Sequence, residues 1–200
     1  MPTRTVDPHR LGPVSWTVLI ALAASSIVIG IQPIIGTATT WVPLLAVPAA
    51  AGLPFLIPPL RAVPLGETSW AFWAADLTGA AVMLVTAFVL LRAADRRRPH
   101  PGAARAFGRS VGVATLSVVA GNVVRGVFSS FAVHADLGTY LGSLVANVLV
   151  SALVGALVGL VIGAVAAIVA AVGRRAGHDE AHGRSTDAAA GEPVRGAAAP

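Results

Sequence analysis

Residues 41–60 read WVPLLAVPAAAGLPFLIPPL. How this stretch is read decides the fold. It is apolar and long enough to cross a bilayer, since about 20 residues rising 1.5 Å each span the roughly 30 Å hydrocarbon layer. It also carries Pro43, Pro48, Pro54, Pro58 and Pro59. Each proline inside a helix removes a hydrogen bond and costs about 3 kcal/mol. In lipid the freed carbonyls would find no water. Segment 41–66 is therefore expected as an outer-face element, re-entrant or interfacial, rather than a span.

Around it lie four cleaner candidates, at about 14–35, 70–91, 111–131 and 140–172. The chain is 56% hydrophobic and 12% charged. A soluble domain carries about 25% charged residues to cover its surface, so much of this surface is expected to face lipid. The expected fold is an all-α integral membrane protein, a bundle of about four transmembrane helices.

Arginine placement agrees. All fourteen basic residues are arginine, a usage expected of a high-GC bacterial coding sequence. With four spans, Arg4 and Arg10, the cluster from Arg92 to Arg109, and the group from Arg174 to Arg195 share one side. Only Arg61 falls on the other. Five spans would put the N-terminus opposite the arginine loop. The positive-inside rule thus favours a cytoplasmic N-terminus (1–13), a cytoplasmic loop (92–110) and a disordered cytoplasmic tail (176–200). Trp41, Trp70, Trp73 and Tyr140 then cluster at the outer interface, where amphipathic rings prefer to lie. The apolar run after Arg4 and Arg10 outlasts a 7–15-residue signal core, so it is expected to stay as an anchor in the cell membrane.

Three constellations stand out. Asp76 is expected about 9 Å below the outer interface and Arg125 about 14 Å below it, on consecutive antiparallel spans. The long arginine stem bridges that difference, so an intramembrane ion pair is expected. Its role is either to lock two helices together or to form a substrate or proton site.

Span three has a polar face. Ser117, Gly121, Arg125 and Ser129 recur every four residues, with Asn122 beside them. Such a face packs on other helices or lines a wet cavity.

Span four carries Ser143, Asn147, Ser151, Gly155, Gly159, Gly163, Ala167 and Ala171 at intervals of four. The doubled Gly-xxx-Gly of Gly155, Gly159 and Gly163 is a glycine zipper that lets another helix approach closely. Its partner is another span, a second copy or another membrane subunit.

No chemistry-bearing motif accompanies these features. With no cysteine, thiolate zinc sites, iron–sulfur clusters and disulfides are excluded. His178 and His182 stand four apart but lack the HExxH order, so no metal or other cofactor is expected. His134 and Asp136 are the best pair for lipid chemistry, too sparse to expect an enzyme. The arginines lie at helix ends, where topology accounts for them, so no nucleic-acid partner is expected. The leading expectation is a non-enzymatic membrane protein that works by helix–helix association, as an accessory subunit or small homo-oligomer. The alternative is a small-solute transporter or channel with a polar pathway along span three.

Overall fold

A computed structural model describes residues 11–31, 37, 40–41, 56–64, 69–97, 101–132 and 136–190. Among the described residues the protein is helical, with no strand. Among the described residues, four helices are long and apolar enough to cross a membrane. They are α1 (Pro13–Gly30), α2 (Trp70–Arg97), α3 (Ala103–Ala132) and α4 (Leu137–Ala190).

Local chemistry sets their ends. Pro13 occupies the first turn of α1, where its missing N–H costs nothing. At the start of α2, the Ser69 carbonyl accepts from the Trp73 N–H at 3.0 Å. Arg96 and Arg97 close α2 and complement its negative end. Asp136 caps α4, accepting from the N–H groups of Gly138 at 2.9 Å and Thr139 at 3.1 Å.

Three boundaries differ from the sequence expectation. The loop expected at 92–110 is largely helical, because α2 runs on to Arg97 and α3 already starts at Ala103. Pro99 and Pro101-Gly102 confine the break to a few residues. Secondly, α4 continues to Ala190, through much of the expected disordered tail. No proline interrupts the chain between Pro101 and Pro193, and this stretch is rich in alanine, the best helix former. Residues 191–200 lie outside the described residues. So do residues 32–36, which were expected to complete the first span, and most of segment 41–66.

The bundle is built on an antiparallel α3–α4 hairpin. On α3, α2 also packs, and α1 lies against α4 and α2. One apolar core joins Val18 and Leu22 of α1, Leu91 of α2, Ala114 of α3, and Ile162 and Ala166 of α4. A second, smaller core joins Ile57, Met83 and Val118. Outward-facing residues are large and apolar: Ile20 is 61% exposed, Val85 61%, Leu116 57% and Val161 68%. A surface of that kind suits lipid, not water.

Candidate functional site

The glycine stripe of α4 meets α3. A Cβ at Gly155 would lie 2.8 Å from the Thr115 Cα, and one at Gly159 would lie 2.9 Å from the Val111 Cα. At Gly163 the Phe107 ring would be 3.1 Å away. Glycine 155 faces residue 115, 159 faces 111, and 163 faces 107. The stripe therefore follows one antiparallel register and brings two backbones together within a single chain. The partner left open by the sequence is α3. A similar crossing joins α2 to α3, where a Cβ at Gly79 would meet the Gly121 carbonyl at 2.9 Å.

These close approaches place polar side chains inside the bundle. Arg125 Nε donates to Asp76 Oδ1 at 2.7 Å, linking α3 to α2. Arg125 Nη1 donates to Asn122 Oδ1 at 3.0 Å. Asn122 Nδ2 in turn donates to the carbonyl of Leu56 at 2.7 Å. From α4, Asn147 Nδ2 donates to the Asn122 backbone carbonyl at 2.8 Å, in space that Gly126 leaves free. Ser151 donates to Asn147 Oδ1 at 3.1 Å. One chain of hydrogen bonds thus runs from α2 through α3 to α4 and to the segment before α2.

That segment, residues 56–64, is non-helical and enters the bundle. Ile57 and Pro58 are fully buried. Ser26 of α1 donates through its hydroxyl to the Pro58 carbonyl, and its own carbonyl accepts from the Leu60 N–H at 3.0 Å. The Arg61 carbonyl accepts from Trp73 Nε1 at 3.0 Å. Leu56 holds a left-handed backbone, φ 59°, which only a constraining environment maintains in a residue of its size. Asn122 lies about 15 Å along the helix axis from Ala132, so Leu56 reaches well below the α3–α4 turn. Irregular backbone at such depth survives when its carbonyls are satisfied by protein or water. Here Ser26, Asn122 and Trp73 satisfy three of them.

Not every expected polar residue joins. Ser129 turns its hydroxyl to the Arg125 carbonyl of its own helix at 2.9 Å. Ser117 is buried, and its hydroxyl has no partner among the described residues. Arg61 Nε is also buried without one. His134 lies outside the described residues, as do the side chains of His178 and His182. Hydrogen bonds from the Thr139 hydroxyl and then its N–H hold the Asp136 carboxyl below the usual carboxylate range, so it serves as a cap.

Two features escaped the sequence reading. One is the embedded segment, whose contacts run through backbone carbonyls that no residue type announces. The other is an ion pair at the opposite end of the bundle. Arg109 Nη2 donates to Asp95 Oδ1 at 2.7 Å and to the Ser15 hydroxyl, while Asp95 Oδ2 accepts from the Gly12 N–H at 3.0 Å. It ties the start of α1 and α3 to the end of α2. A usable signal was present, since Asp95 is the lone acid between Arg92 and Ser110.

Among the described residues, two clefts open on the surface. An apolar groove of about 370 Å³ separates α1 from α2, lined by Trp16, Leu19 and Phe88 among others. A cleft of about 320 Å³ at the α3–α4 turn is lined by Ser130, Phe131, Leu137 and Tyr140. No residue of the hydrogen-bond chain lines either one. Among the described residues, the fold and site define an all-helical protein with four helices fit to span a membrane and a polar centre buried between three of them. Comparison with family models, curated proteins and solved structures finds no match to this chain.

Proposed function

We propose that this chain is a small, non-enzymatic, multi-pass protein of the cell membrane, with both termini cytoplasmic, that binds a small solute at the polar centre in the outer half of its bundle. The observation that carries the reading is the entry of residues 56–60 into that half, with the Leu56 carbonyl on Asn122. Helix interruptions at membrane depth build solute sites in transporters and filters, because they expose backbone dipoles that unbroken helices keep occupied. The centre also remains within reach, since the Arg125 and Asp76 side chains keep 15% and 18% of their surface.

The association reading rested on the glycine zipper, and α3 occupies that stripe. A role as an accessory subunit would have to use the lipid-facing sides of the helices, where no described feature favours a protein partner over lipid. The solute reading therefore takes precedence.

Thermal unfolding of the purified protein against a panel of anionic, cationic and neutral solutes tests it. A bound solute at about 100 times its Kd adds about 2.7 kcal/mol, which is about 5–10 °C for a chain of this size. Asn147→Ala should remove most of that gain. If no solute raises the melting temperature, while the protein copurifies with a second membrane protein, the association reading replaces this one.

A further inference from the structure

The groove between α1 and α2 is narrow and wholly apolar. It runs along α1 from Trp16 to Ala23, seven residues or about 10 Å of helix. A volume of about 370 Å³ over that length gives a width of about 6 Å. A helix with its side chains is about 10–12 Å across, so none fits. A hydrocarbon chain, about 4 Å thick at carbon contact distance, does fit. No polar atom lines the groove, and Ile20 and Val85 on its two walls are each 61% exposed. It therefore opens on the side of the bundle that suits lipid.

One end of the groove is polar. Gly12 stands one turn before Trp16 on α1, and Asp95 stands two turns beyond Phe88 on α2. The Gly12 N–H donates to Asp95 Oδ2 at 3.0 Å, so the two walls are joined there. Arg109 reinforces the joint by donating to Asp95 Oδ1 and to the Ser15 hydroxyl. Arg92 and Arg96 follow Phe88 at intervals of four, so they carry the α2 wall up to the joint and past it. Arg92 has an interaction within the chain, which makes the exposed Arg96 the more available donor. Trp16, 49% exposed, lies at the same end, and an amphipathic ring suits the headgroup level. The charge on this side is positive whatever the undescribed residues do. Residues 1–12 and 92–109 together carry eight arginines and two acids, and residues 174–200 carry four of each.

Independently of the polar centre, we infer that this groove binds an anionic phospholipid of the cytoplasmic leaflet. One acyl chain lies along Trp16, Ala23 and Phe88. The headgroup phosphate sits beside the Gly12–Asp95 joint and accepts from Arg96, with Arg92 behind it, because guanidinium groups match phosphate oxygens in pairs. A zwitterionic headgroup would bring its own cation to the same arginines, so an anionic one is preferred.

The test titrates phosphatidylglycerol and phosphatidylcholine of identical acyl chains into the protein in neutral detergent, and reads each dissociation constant from the melting temperature. Phosphatidylglycerol is expected to bind at least about fivefold tighter. Arg96→Gln should erase most of that preference, since one arginine near an anionic headgroup contributes about a factor of five. Arg105→Gln, an equal charge change at an exposed position of α3, should keep it. Ala23→Phe fills the groove and should weaken both lipids at least about tenfold, the equivalent of two lost methylenes. Leu116→Phe, at a 57% exposed position of α3, should not. Because Arg96 is exposed, Arg96→Gln decides the matter even if Ala23→Phe does not fold. Equal wild-type affinity for the two lipids would overturn the inference, as would an undiminished preference in Arg96→Gln or unchanged binding in a folded Ala23→Phe. A two-copy particle in detergent that Ala23→Phe reduces to one copy would also overturn it, by making the groove an interface. None of these failures touches the solute-binding reading, which concerns the opposite half of the bundle.

Discussion

Asn122 of α3 donates its side-chain amide to the backbone carbonyl of Leu56, 66 residues earlier, at 2.7 Å. Through its other side-chain atom the same residue accepts from Arg125, and through its own carbonyl it accepts from Asn147. It is the point where α3, α4 and the embedded segment meet. Removing its side chain leaves the Leu56 carbonyl and one donor on Arg125 unpaired in an apolar setting, while the bond from Asn147, made to the main-chain carbonyl, remains. Each unsatisfied buried group costs about 1–3 kcal/mol. Asn122→Ala should therefore lower unfolding stability by at least about 2 kcal/mol, and a cysteine placed at Ile57 should become reactive to thiol reagents. A variant as stable as wild type, with residue 57 still protected, would mean that the segment is held by packing alone.

The Asp76–Arg125 pair should behave as a unit. Either single substitution to alanine strands a charge, which costs about 3 kcal/mol at the lower end of the range for buried pairs. The double variant strands none, so it should cost less than the sum, with a coupling of about 0.5–3 kcal/mol. Strict additivity in the unfolding free energies would show that the contact contributes nothing.

Gly159 is expected to matter within the monomer. A leucine there would drive into the Val111 backbone, so α3 and α4 must separate. Overpacking of this kind costs about 1–3 kcal/mol. Leu157, 56% exposed, points elsewhere, and Leu157→Ala should cost far less. Gly159→Leu should lower the melting temperature without changing the mass of the detergent-solubilised particle. A change in mass with unaltered stability would assign the stripe to an interface between copies.

Asp136 gives the start of α4 a pH dependence. Its carboxyl titrates lower in the folded protein than in the unfolded chain, because Thr139 and Gly138 donate to the charged form. The stabilisation is therefore complete above the unfolded value and is lost as pH falls through the depressed folded value. Hydrogen exchange at the first turn of α4 should accelerate as pH drops through that acidic window, after correction for intrinsic exchange rates. Asp136→Asn retains a cap without a titrating group, so it should abolish the extra acceleration. If the wild type and Asp136→Asn show the same pH profile, the cap is not set by the carboxylate.

The helices were legible because length and apolar content are strong signals, and Asp76 with Arg125 could be matched by depth alone. The glycine stripe announced a close neighbour but not which one, since small residues at intervals of four fit any helix. Of the proline-rich stretch, residues 56–64 are non-helical, and where they go was hidden. Its bonds to Ser26 and Asn122 use main-chain carbonyls, which every residue carries. Boundaries failed where alanine and arginine continued a helix past the apolar run, at Arg97 and again beyond Val172.

The account depends most on orientation, with the polar centre and residues 56–64 in the outer half and the α2–α3 turn in the cytoplasm. Because the chain lacks cysteine, single cysteines can be placed at Ala62 and at Ala104 and exposed to a membrane-impermeant thiol reagent. The account predicts that Ala62→Cys is labelled in intact cells, whereas Ala104→Cys is labelled only after lysis. Labelling of Ala104→Cys in intact cells would contradict it.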